Sequence, residues 1–232
     1  MARMSMLGTG LYTLGQAARL TGADRRAVRR WMLGYERQEH GERRFSPPLW
    51  RTQLADADLP DPVIGFHDLL ELRLVNAFVR HGVTIPVIRA TVDAAREQFG
   101  IDYPLTAKRF RTDGKRIFIE AIAKSGEEKM LDPLKRQFVF SEIIRPSLYA
   151  GIEYDGSSAR RWFPLGNDQK AIVLDPARQF GSPIVSDANI PTDTLYASYL
   201  AERCDSKAVA RIFDISPRMV DAAVRFEKSF GT

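Results

Sequence analysis

Residues 13–34 constrain the fold more than any other segment, because they carry the start and stop signals of two short helices. Thr13 can accept a hydrogen bond from the backbone of Gln16, and the Gln16 side chain can return one, which makes a capping box. The first helix therefore starts at Thr13, runs to Leu20 and stops at Gly22, since glycine readily adopts the left-handed conformation of a helix end.

A second helix follows after a very short connection. Asp24 is a strong N-cap, residues 25–33 contain no helix breaker, and Gly34 ends the segment. Val28 and Trp31 lie three residues apart, so both can face the first helix. Two short helices joined by a glycine turn predict a helix-turn-helix, a motif whose second helix enters the major groove of DNA.

Four arginines occupy the other side of this second helix, at i, i+3 and i+4 spacings: Arg25, Arg26, Arg29 and Arg30. Guanidinium groups pair bidentately with phosphates and with O6 and N7 of guanine. The competing interpretation is a solvated face with salt bridges, which needs acidic partners one turn away, and only Asp24 and Glu36 are near. The arginine run therefore favours DNA contact.

The positive charge of the chain is concentrated in the same region. Residues 1–51 carry ten arginines, no lysine and four acids, a net charge of +6, whereas residues 52–232 carry 24 basic and 25 acidic side chains, a net charge of −1. A concentrated basic patch raises the local affinity for phosphate and steers a polyanion toward it. The DNA-binding surface is therefore predicted within the first 51 residues.

A two-stranded ribbon, or wing, is predicted directly after the second helix. Residues 35–50 are polar, contain Gly41 and close with paired prolines, which suits a β-ribbon better than a helix. Arginines on such a ribbon would reach flanking phosphates. The candidate DNA-binding residues are therefore Thr13, Gln16, Arg25, Arg26, Arg29, Arg30, Tyr35, Arg37, Arg43 and Arg44.

Two longer amphipathic helices are predicted next, and the pattern then becomes extended. The helices span residues 66–80 and 86–99, and their apolar stripes are interpreted as packing against each other and against the first two helices. His67 and His81 are interpreted as surface or structural residues. Residues 109–123 are predicted to form a hairpin, because Asp113-Gly114 suits a type I′ turn.

The rest of the middle region is predicted to be rich in β-structure. Short strands separated by glycine turns are expected over residues 152–154, 160–163 and 171–174. Trp162 and Phe163 are interpreted as core residues. Residues 134–149 leave two alternatives open, a short strand or a turn, either of which would pass into a helix at the end of the segment.

The last third returns to helices. A helix is predicted over residues 192–203, Asp205 caps another over residues 206–213, and Ser216-Pro217 opens a final helix to Phe230. These form a second unit similar to a helix-turn-helix, but its charges are mixed, which is typical of a dimerisation or protein-binding module. The predicted fold class is α+β, mainly α, in three domains: a winged helix-turn-helix (1–103), a β-rich connecting region (104–170) and a three-helix domain (171–232).

The first hundred residues resemble the MerR-like winged-helix family. The resemblance covers residues 11–100 and lies in three features: the opening from Tyr12 to Gly22, the Val28-Arg-Arg-Trp segment with Gly34-Tyr35, and the helix pair joined through Gly82-Val-Thr-Ile-Pro. It implies that residues 25–30 are the recognition helix and residues 35–45 the wing. Sensors of the MerR kind continue with a long dimerising helix, whereas no such helix is expected here, and the cysteines of metal-sensing members are absent.

Residues 171–230 resemble a small domain of VapB-like antitoxins. The matching segments are Phe180-Gly-Ser-Pro-Ile-Val, Ile190-Pro-Thr, Ala208-Val-Ala-Arg-Ile-Phe, Ile215-Ser-Pro and Val220-Asp-Ala-Ala-Val-Arg-Phe, although Asp187-Ala-Asn replaces the usual glycine-threonine-arginine. This resemblance implies a toxin partner with a PIN-domain ribonuclease fold, and repression of the pair's own promoter. Arg218 and Arg225, on the final helix, are the candidate toxin-binding cations, ranked above Arg211.

Signals of catalysis, of metal binding and of a membrane span are absent from the sequence. It contains no Walker loop, no dinucleotide glycine fingerprint, no Gly-x-Ser-x-Gly elbow and no HExxH. A lone Cys204 and three scattered histidines do not suit a metal site, and no apolar run reaches the roughly 18 residues of a membrane helix. The expected protein is cytoplasmic and dimeric, with neither enzymatic activity nor a cofactor.

Two functional hypotheses follow from the sequence. The first is a DNA-binding antitoxin that represses its own operon and neutralises a VapC-type ribonuclease through residues 176–232. The alternative is a MerR-like ligand-responsive transcription regulator without a toxin partner. A small ribonuclease reading frame beside the gene would favour the first hypothesis, and its absence would favour the second.

Overall fold

The structure, a computed structural model, describes residues 8–39, 42–125, 149–166 and 169–230. Its fold is α+β and mainly helical, which confirms the predicted class. The elements in chain order are β1 (Tyr12–Thr13), α1 (Leu14–Thr21), α2 (Arg25–Leu33), β2 (Tyr35–Glu39), β3 (Glu42–Ser46), β4 (Val63–Ile64), α3 (Phe66–Arg80), α4 (Ile85–Phe99), α5 (Phe110–Ser125), β5 (Ile152–Asp155), β6 (Ser158–Trp162), β7 (Ile172–Val173), β8 (Ile184–Val185), β9 (Ile190–Pro191), α6 (Thr192–Ala201), α7 (Ser206–Phe213) and α8 (Pro217–Phe230).

The chain forms two compact units. The head unit consists of Thr13–Tyr149 with Gly156–Ser158, and the tail unit consists of Met1–Tyr12, Ala150–Asp155 and Ala159–Thr232. The tail unit is therefore assembled from three separate stretches of the chain.

The first two helices of the head unit begin and end as the sequence predicts. The N–H of Gln16 donates to Thr13 Oγ1 (3.2 Å), and the N–H of Thr13 donates to Gln16 Oε1 (2.9 Å), which is the expected capping box at α1. Gly22 ends α1 with a φ of 66°. Asp24 caps α2 by accepting from the N–H of Ala27 (2.9 Å). The helix-turn-helix is thus specified by short-range hydrogen bonds.

The predicted wing is also present. Strands β2 and β3 pair antiparallel, with Arg37 opposite Arg44 and Glu36 opposite Phe45. Gly34, at the start of the ribbon, has a φ of +74°, and a Cβ there would lie 2.5 Å from the carbonyl oxygen of Ser46. Glycine is therefore required where the two legs of the wing approach each other.

Helices α3 and α4 confirm the predicted amphipathic pair, and their apolar faces form the core of the head unit. Phe66, Leu70 and Phe78 of α3 and Val87 and Val92 of α4 are almost completely buried. Helix α1 packs against both α2 and α3, and so connects this core to the helix-turn-helix. Burying such side chains is the main favourable term in folding.

The hairpin predicted over residues 109–123 is wrong, because Phe110–Ser125 form the helix α5. Its buried residues recur every three or four positions: Phe110, Gly114, Ile117, Phe118, Ala121 and Ile122. This helical period outweighs the local preference of Asp113-Gly114 for a turn, and an acid in the first turn interacts favourably with the helix dipole. The ring of Phe118 packs 5.5 Å from that of Phe78. A helix of 16 residues therefore follows α4 where an extended segment was expected.

The tail unit contains the predicted strands. Strands β5 and β6 pair, and β7, β8 and β9 form an antiparallel sheet in that order. Trp162 and Phe163 are buried, at 2% and 4% exposure, which confirms their assignment to the core. Most of the segment 134–149, for which the sequence left two alternatives, lies outside the described residues.

The three C-terminal helices are confirmed, and each begins and ends within two residues of its predicted bounds. Asp205 caps α7 by accepting from the N–H groups of Lys207 (2.8 Å) and Ala208 (3.2 Å). Asp214 then adopts a left-handed conformation (φ 52°) in the turn before α8. Because the side chain of a residue in this conformation is costly unless it is short and polar, Asp takes the place that glycine holds after α1.

Candidate DNA-binding surface

Helix α2 separates its apolar and cationic side chains as predicted. Val28, Trp31 and Met32 are buried, at 0%, 6% and 2% exposure. The other side of the helix exposes all four candidate arginines, namely Arg25, Arg26, Arg29 and Arg30. Among the described residues, no carboxylate forms an ion pair with any of these four. The alternative of a face laced with salt bridges is therefore not what the structure contains.

A groove joins the N-terminal turn of α1 to the arginines of α2. It is about 570 Å³ in volume and is lined by Thr13, Leu14, Gly15, Arg25, Arg26, Arg29, Asp61 and Pro62. The guanidinium carbon of Arg25 lies 3.8 Å from the position that a Cβ on Gly15 would take. Gly15 and Arg25 therefore lie side by side in the wall of the groove. Backbone N–H groups at a helix N-terminus combined with guanidinium groups form a surface complementary to phosphate.

The wing continues the cationic surface. The guanidinium of Arg30 lies over the ring of Tyr35, 5.7 Å from its centroid, and so links α2 to the first residue of β2. Arg37 and Arg44 are register partners, as are Tyr35 and Ser46, so these four side chains share one face of the ribbon. Arg30, Arg37 and Arg44 therefore belong to one continuous surface.

Arg43 lies on the opposite face of the ribbon. It is the register partner of Gln38, one position away from the Arg37–Arg44 pair, and side chains alternate between faces along a strand. Its guanidinium lies 4.0 Å from the Glu36 carboxylate, with both side chains largely exposed. Arg44 lies at the same distance from the exposed Glu42. Exposed pairs of this kind are weak and screened by salt, so both arginines can exchange their partners for phosphate.

Thr13 and Gln16 are exposed beside the groove, but their side-chain oxygens are engaged in the capping box. Both residues therefore hold the N-terminus of α1 in place. Direct DNA contact by either of them stays a prediction.

The return from the wing to the core depends on residues that sequence reasoning missed. The N–H of Leu49 donates to the carbonyl of Trp31 (2.8 Å), and Nε1 of Trp50 donates to Asp68 (2.8 Å). Asp68 is completely buried and also accepts from the N–H groups of Gln53 and Gly65 (2.9 Å each). The position of Asp68 as the third residue of α3 was an available signal only for the local bond from Gly65, because acids there accept N–H groups at the start of their own helix.

One turn later on α3, a second buried carboxylate holds the segment before α5. Glu71 accepts from the N–H of Leu105 (3.2 Å) and from both the N–H and the hydroxyl of Thr106 (2.8 Å each). Burial disfavours the charged form and raises the pKa of Glu71 to about 7, although these hydrogen bonds oppose the shift. Burial likewise raises the pKa of Asp68.

The candidate toxin-binding arginines lie in the tail unit, on α8. Arg218 and Arg225 are both exposed, and their seven-residue spacing places them on one helix face. Asp221, between them, accepts a hydrogen bond from the hydroxyl of Ser206 at the start of α7 (2.6 Å). Arg211 is exposed on α7 rather than on α8.

The histidines and the cysteine do not assemble into a metal site. In the ranges that the structure covers, no three His, Cys, Asp or Glu side chains are grouped so that they could hold a metal ion. His67 is half-buried and stacks on Tyr103, with ring centroids 5.2 Å apart, as a structural residue does. Cys204 is exposed. None of the described helices is long and apolar enough to cross a membrane.

Known proteins match the head unit and most of the chain. Residues 10–92 match a family described as "Putative DNA-binding HTH domain". The chain is 28% identical over 194 residues to "Putative antitoxin VapB45" of Mycobacterium tuberculosis, and the match covers 78% of each chain. The crystal structure of Rv2018 from Mycobacterium tuberculosis matches 94% of this chain and 98% of its own, with a TM-score of 0.63 at 19% identity, a likeness of fold. The head unit thus carries a helix-turn-helix domain of a DNA-binding type, in a chain similar to an antitoxin.

Proposed function

We propose that this protein is a DNA-binding antitoxin. Its head unit holds operator DNA and represses its own operon, and its tail unit binds and neutralises a VapC-type ribonuclease with a PIN-domain fold. The observation that carries the DNA part is the exposed face of α2, where four arginines have no acidic partner among the described residues. The likeness to "Putative antitoxin VapB45" supports the toxin part.

On DNA, α2 is the MerR-like recognition helix. Its arginines point away from the core, so they can reach guanine O6 and N7 in the major groove as well as phosphates. The groove at Gly15 and Arg25 accepts a backbone phosphate beside the N-terminus of α1. Tyr35, Arg37 and Arg44 follow the duplex along the wing, where phosphate contacts fix position without reading sequence.

A dimer is part of this proposal. Helix α2 has nine residues, and a helix of this length reads only a few base pairs. A specific site therefore needs two copies of the head unit, on half-sites about one helical turn of DNA apart, roughly 34 Å. Light scattering of the free protein tests this directly, since the mass of a monomer in solution and a footprint over one half-site would contradict it.

In the tail unit, the proposed toxin surface is the exposed face of α8. A ribonuclease of the PIN fold presents acidic metal-binding carboxylates, and a guanidinium pairs with carboxylates in a fixed fork geometry when water is excluded. Arg218 and Arg225 are exposed on one face and can both reach such a partner.

Both activities can be tested on one purified protein. Fluorescence anisotropy with labelled DNA from the region upstream of its gene measures DNA affinity over a salt series. Co-expression with a neighbouring ribonuclease reading frame, followed by an RNA cleavage assay, measures neutralisation. A chain that binds its upstream DNA but neither binds nor inhibits that ribonuclease would support the regulator hypothesis instead.

A further inference from the structure

The segment that leads out of the wing is held by an arginine of α4. Arg89 is half-buried, and its guanidinium donates one hydrogen bond to the carbonyl of Pro47 (2.7 Å) and one to the carbonyl of Pro48 (2.6 Å). The partners lie 42 and 41 residues away along the chain. Arg89 therefore connects the base of the wing to a helix of the core.

The geometry of this contact requires arginine. Two nitrogens of one planar guanidinium bond two successive carbonyl oxygens, so the contact fixes the direction of the Pro47–Pro48 segment as well as its distance. A lysine ammonium carries the same charge but cannot present two donors in a rigid plane.

A groove lies at the junction of the wing and α4. It has a volume of about 400 Å³, and residues of both elements line it, among them Tyr35, Arg37, Phe45, Ile85, Arg89 and Asp93. Phe45, the large apolar residue of β3, is 63% exposed. This space is left without side-chain packing, so the hydrogen bonds at the base of the ribbon contribute more to fixing its angle.

Arg89 completes a set of consecutive anchors along this return segment. Leu49 is tied to α2 through Trp31, and Trp50 is tied to α3 through Asp68. These two anchors fix where the segment enters the core, whereas Arg89 acts one step earlier, where the chain leaves β3. Of the three, it is therefore the anchor that sets the angle of the wing.

We propose that Arg89 is a positioning residue for DNA binding. It holds the wing so that Arg37 and Arg44 face the same duplex as α2, and it acts by bonding the carbonyl oxygens of Pro47 and Pro48 rather than DNA. The proposal rests on the proposed function of the head unit as a DNA-binding domain.

The test uses Arg89→Lys in the full-length protein, with Arg96→Lys as the matched control. Arg96 lies on the same helix, and neither its ion pair with Asp93 nor its hydrogen bond to the carbonyl of Asp102 involves a residue of the wing. We expect Arg89→Lys to lower DNA affinity about ten-fold, the effect typical of removing a charge-assisted hydrogen bond, and to make the salt dependence shallower because wing phosphates are no longer reached. Arg96→Lys should bind as the parent does.

A double-mutant cycle separates positioning from direct contact. In a background with Arg37→Ala and Arg44→Ala, the wing makes few phosphate contacts that its angle could affect. Arg89→Lys should therefore change affinity there by no more than about two-fold. An equal reduction of affinity in both backgrounds, or an Arg89→Lys protein that binds like the parent, would overturn the positioning role.

Hydrogen exchange of the DNA-free protein gives a readout independent of binding. Arg89→Lys should speed amide exchange in residues 35–50 and leave exchange in α1 and α2 unchanged. If amide exchange in the wing is the same in Arg89→Lys as in the parent, and the parent binds DNA, then the positioning role of Arg89 is overturned while the proposed function stands. Failure of the parent protein to bind DNA would instead overturn the proposed function, and the exchange result would still decide whether Arg89 anchors the wing.

Discussion

The two helix-turn-helix segments of this chain have the same backbone conformation and differ in the side chains that they expose. Both α1 and α7 have eight residues, and both are followed by a three-residue turn that starts with a left-handed residue, Gly22 or Asp214. In each turn the N–H of the second residue donates to the carbonyl five positions earlier, at 3.1 Å and 3.0 Å. The helix after the turn then begins at Arg25 or at Pro217.

The charges on the second helix of each pair are very different. Four arginines and no acid occur within α2, whereas α8 has Asp221 between its exposed arginines and buries Glu227 against the hydroxyl of Thr192. The same backbone therefore presents a cationic face in the head unit and a mixed face in the tail unit. The motif thus places a helix, and the residues on the exposed side of that helix decide what it can bind.

The largest expected effect tests this comparison directly. Replacing Arg25, Arg26, Arg29 and Arg30 with alanine should lower DNA affinity by orders of magnitude, because these side chains supply most of the phosphate and base contacts of α2. The slope of log affinity against log salt should also become shallower, by about 0.9 for each phosphate that is no longer neutralised. The matched control replaces four cations of the tail helices with alanine: Arg211, Arg218, Arg225 and Lys228. It removes the same charge and should leave DNA affinity nearly unchanged. Equal reductions in both variants would show that net charge, not the face of α2, drives binding.

The interior of the head unit gives the next largest effect, on stability. The pKa of Glu71 is about 7 in the folded protein against 4.5 for an ordinary glutamate, so its contribution to stability is fully present below pH 4.5 and is lost as the pH rises through 7. The full loss is about 3 kcal/mol. Urea unfolding monitored at head-unit residues between pH 5 and pH 8 measures it.

A Glu71→Gln variant is the control for this pH dependence. Glutamine cannot ionise, and its carbonyl oxygen can still accept from Thr106, so the fall in unfolding free energy between pH 5 and pH 8 should be reduced by most of that amount. The same slope in both proteins would show that another group causes it. Asp68, whose pKa burial also raises, is the first candidate for that group.

These residues also show what the sequence could and could not predict. The caps at Thr13, Asp24 and Asp205 bond to groups within three residues, so local pattern was enough to place the helices that they start. Helix α5 was missed because a turn preference at Asp113-Gly114 was given more weight than the period of the buried residues around it.

The contacts that hold the wing could not be predicted from local sequence patterns, because they join residues that are far apart in the chain. Asp68 reaches Gln53, 15 residues away, and Arg89 reaches Pro47, 42 residues away, and a sequence contains no signal of such pairs until the fold brings them together. The exposed, unpaired state of the four arginines of α2 could be predicted, because the absence of acids one turn away is visible in the sequence itself.

Substitutions in the tail unit should have the opposite pattern of effects to those in the head unit: they should change inhibition of the ribonuclease and not DNA affinity. Replacing Arg218 and Arg225 with alanine should weaken inhibition of the ribonuclease at least about ten-fold, because guanidinium–carboxylate pairs are strong when desolvated, and should leave DNA affinity unchanged. Arg160→Ala, which removes an exposed arginine of β6, is the control.

Point substitutions are preferable here to deletion of the tail. A chain cut at residue 175 would keep β7 and lose β8 and β9, which complete its sheet. Inhibition unchanged in the double variant would place the neutralising surface elsewhere in the chain.

The smallest expected effect separates the two faces of the wing. Arg44 shares its face with Tyr35 and Arg37, next to Arg30 of α2, whereas Arg43 projects from the other face. Arg44→Ala should therefore lower DNA affinity several-fold and reduce the salt slope by about one phosphate contact, while Arg43→Ala should do so less. Neither change should alter the preference between operator and unrelated DNA, because phosphates carry no base information. Anisotropy titrations of both variants on both DNAs measure this. A larger reduction for Arg43→Ala would mean that the duplex lies against the opposite face of the ribbon, and the assignment of Arg37 to the binding surface would fall with it.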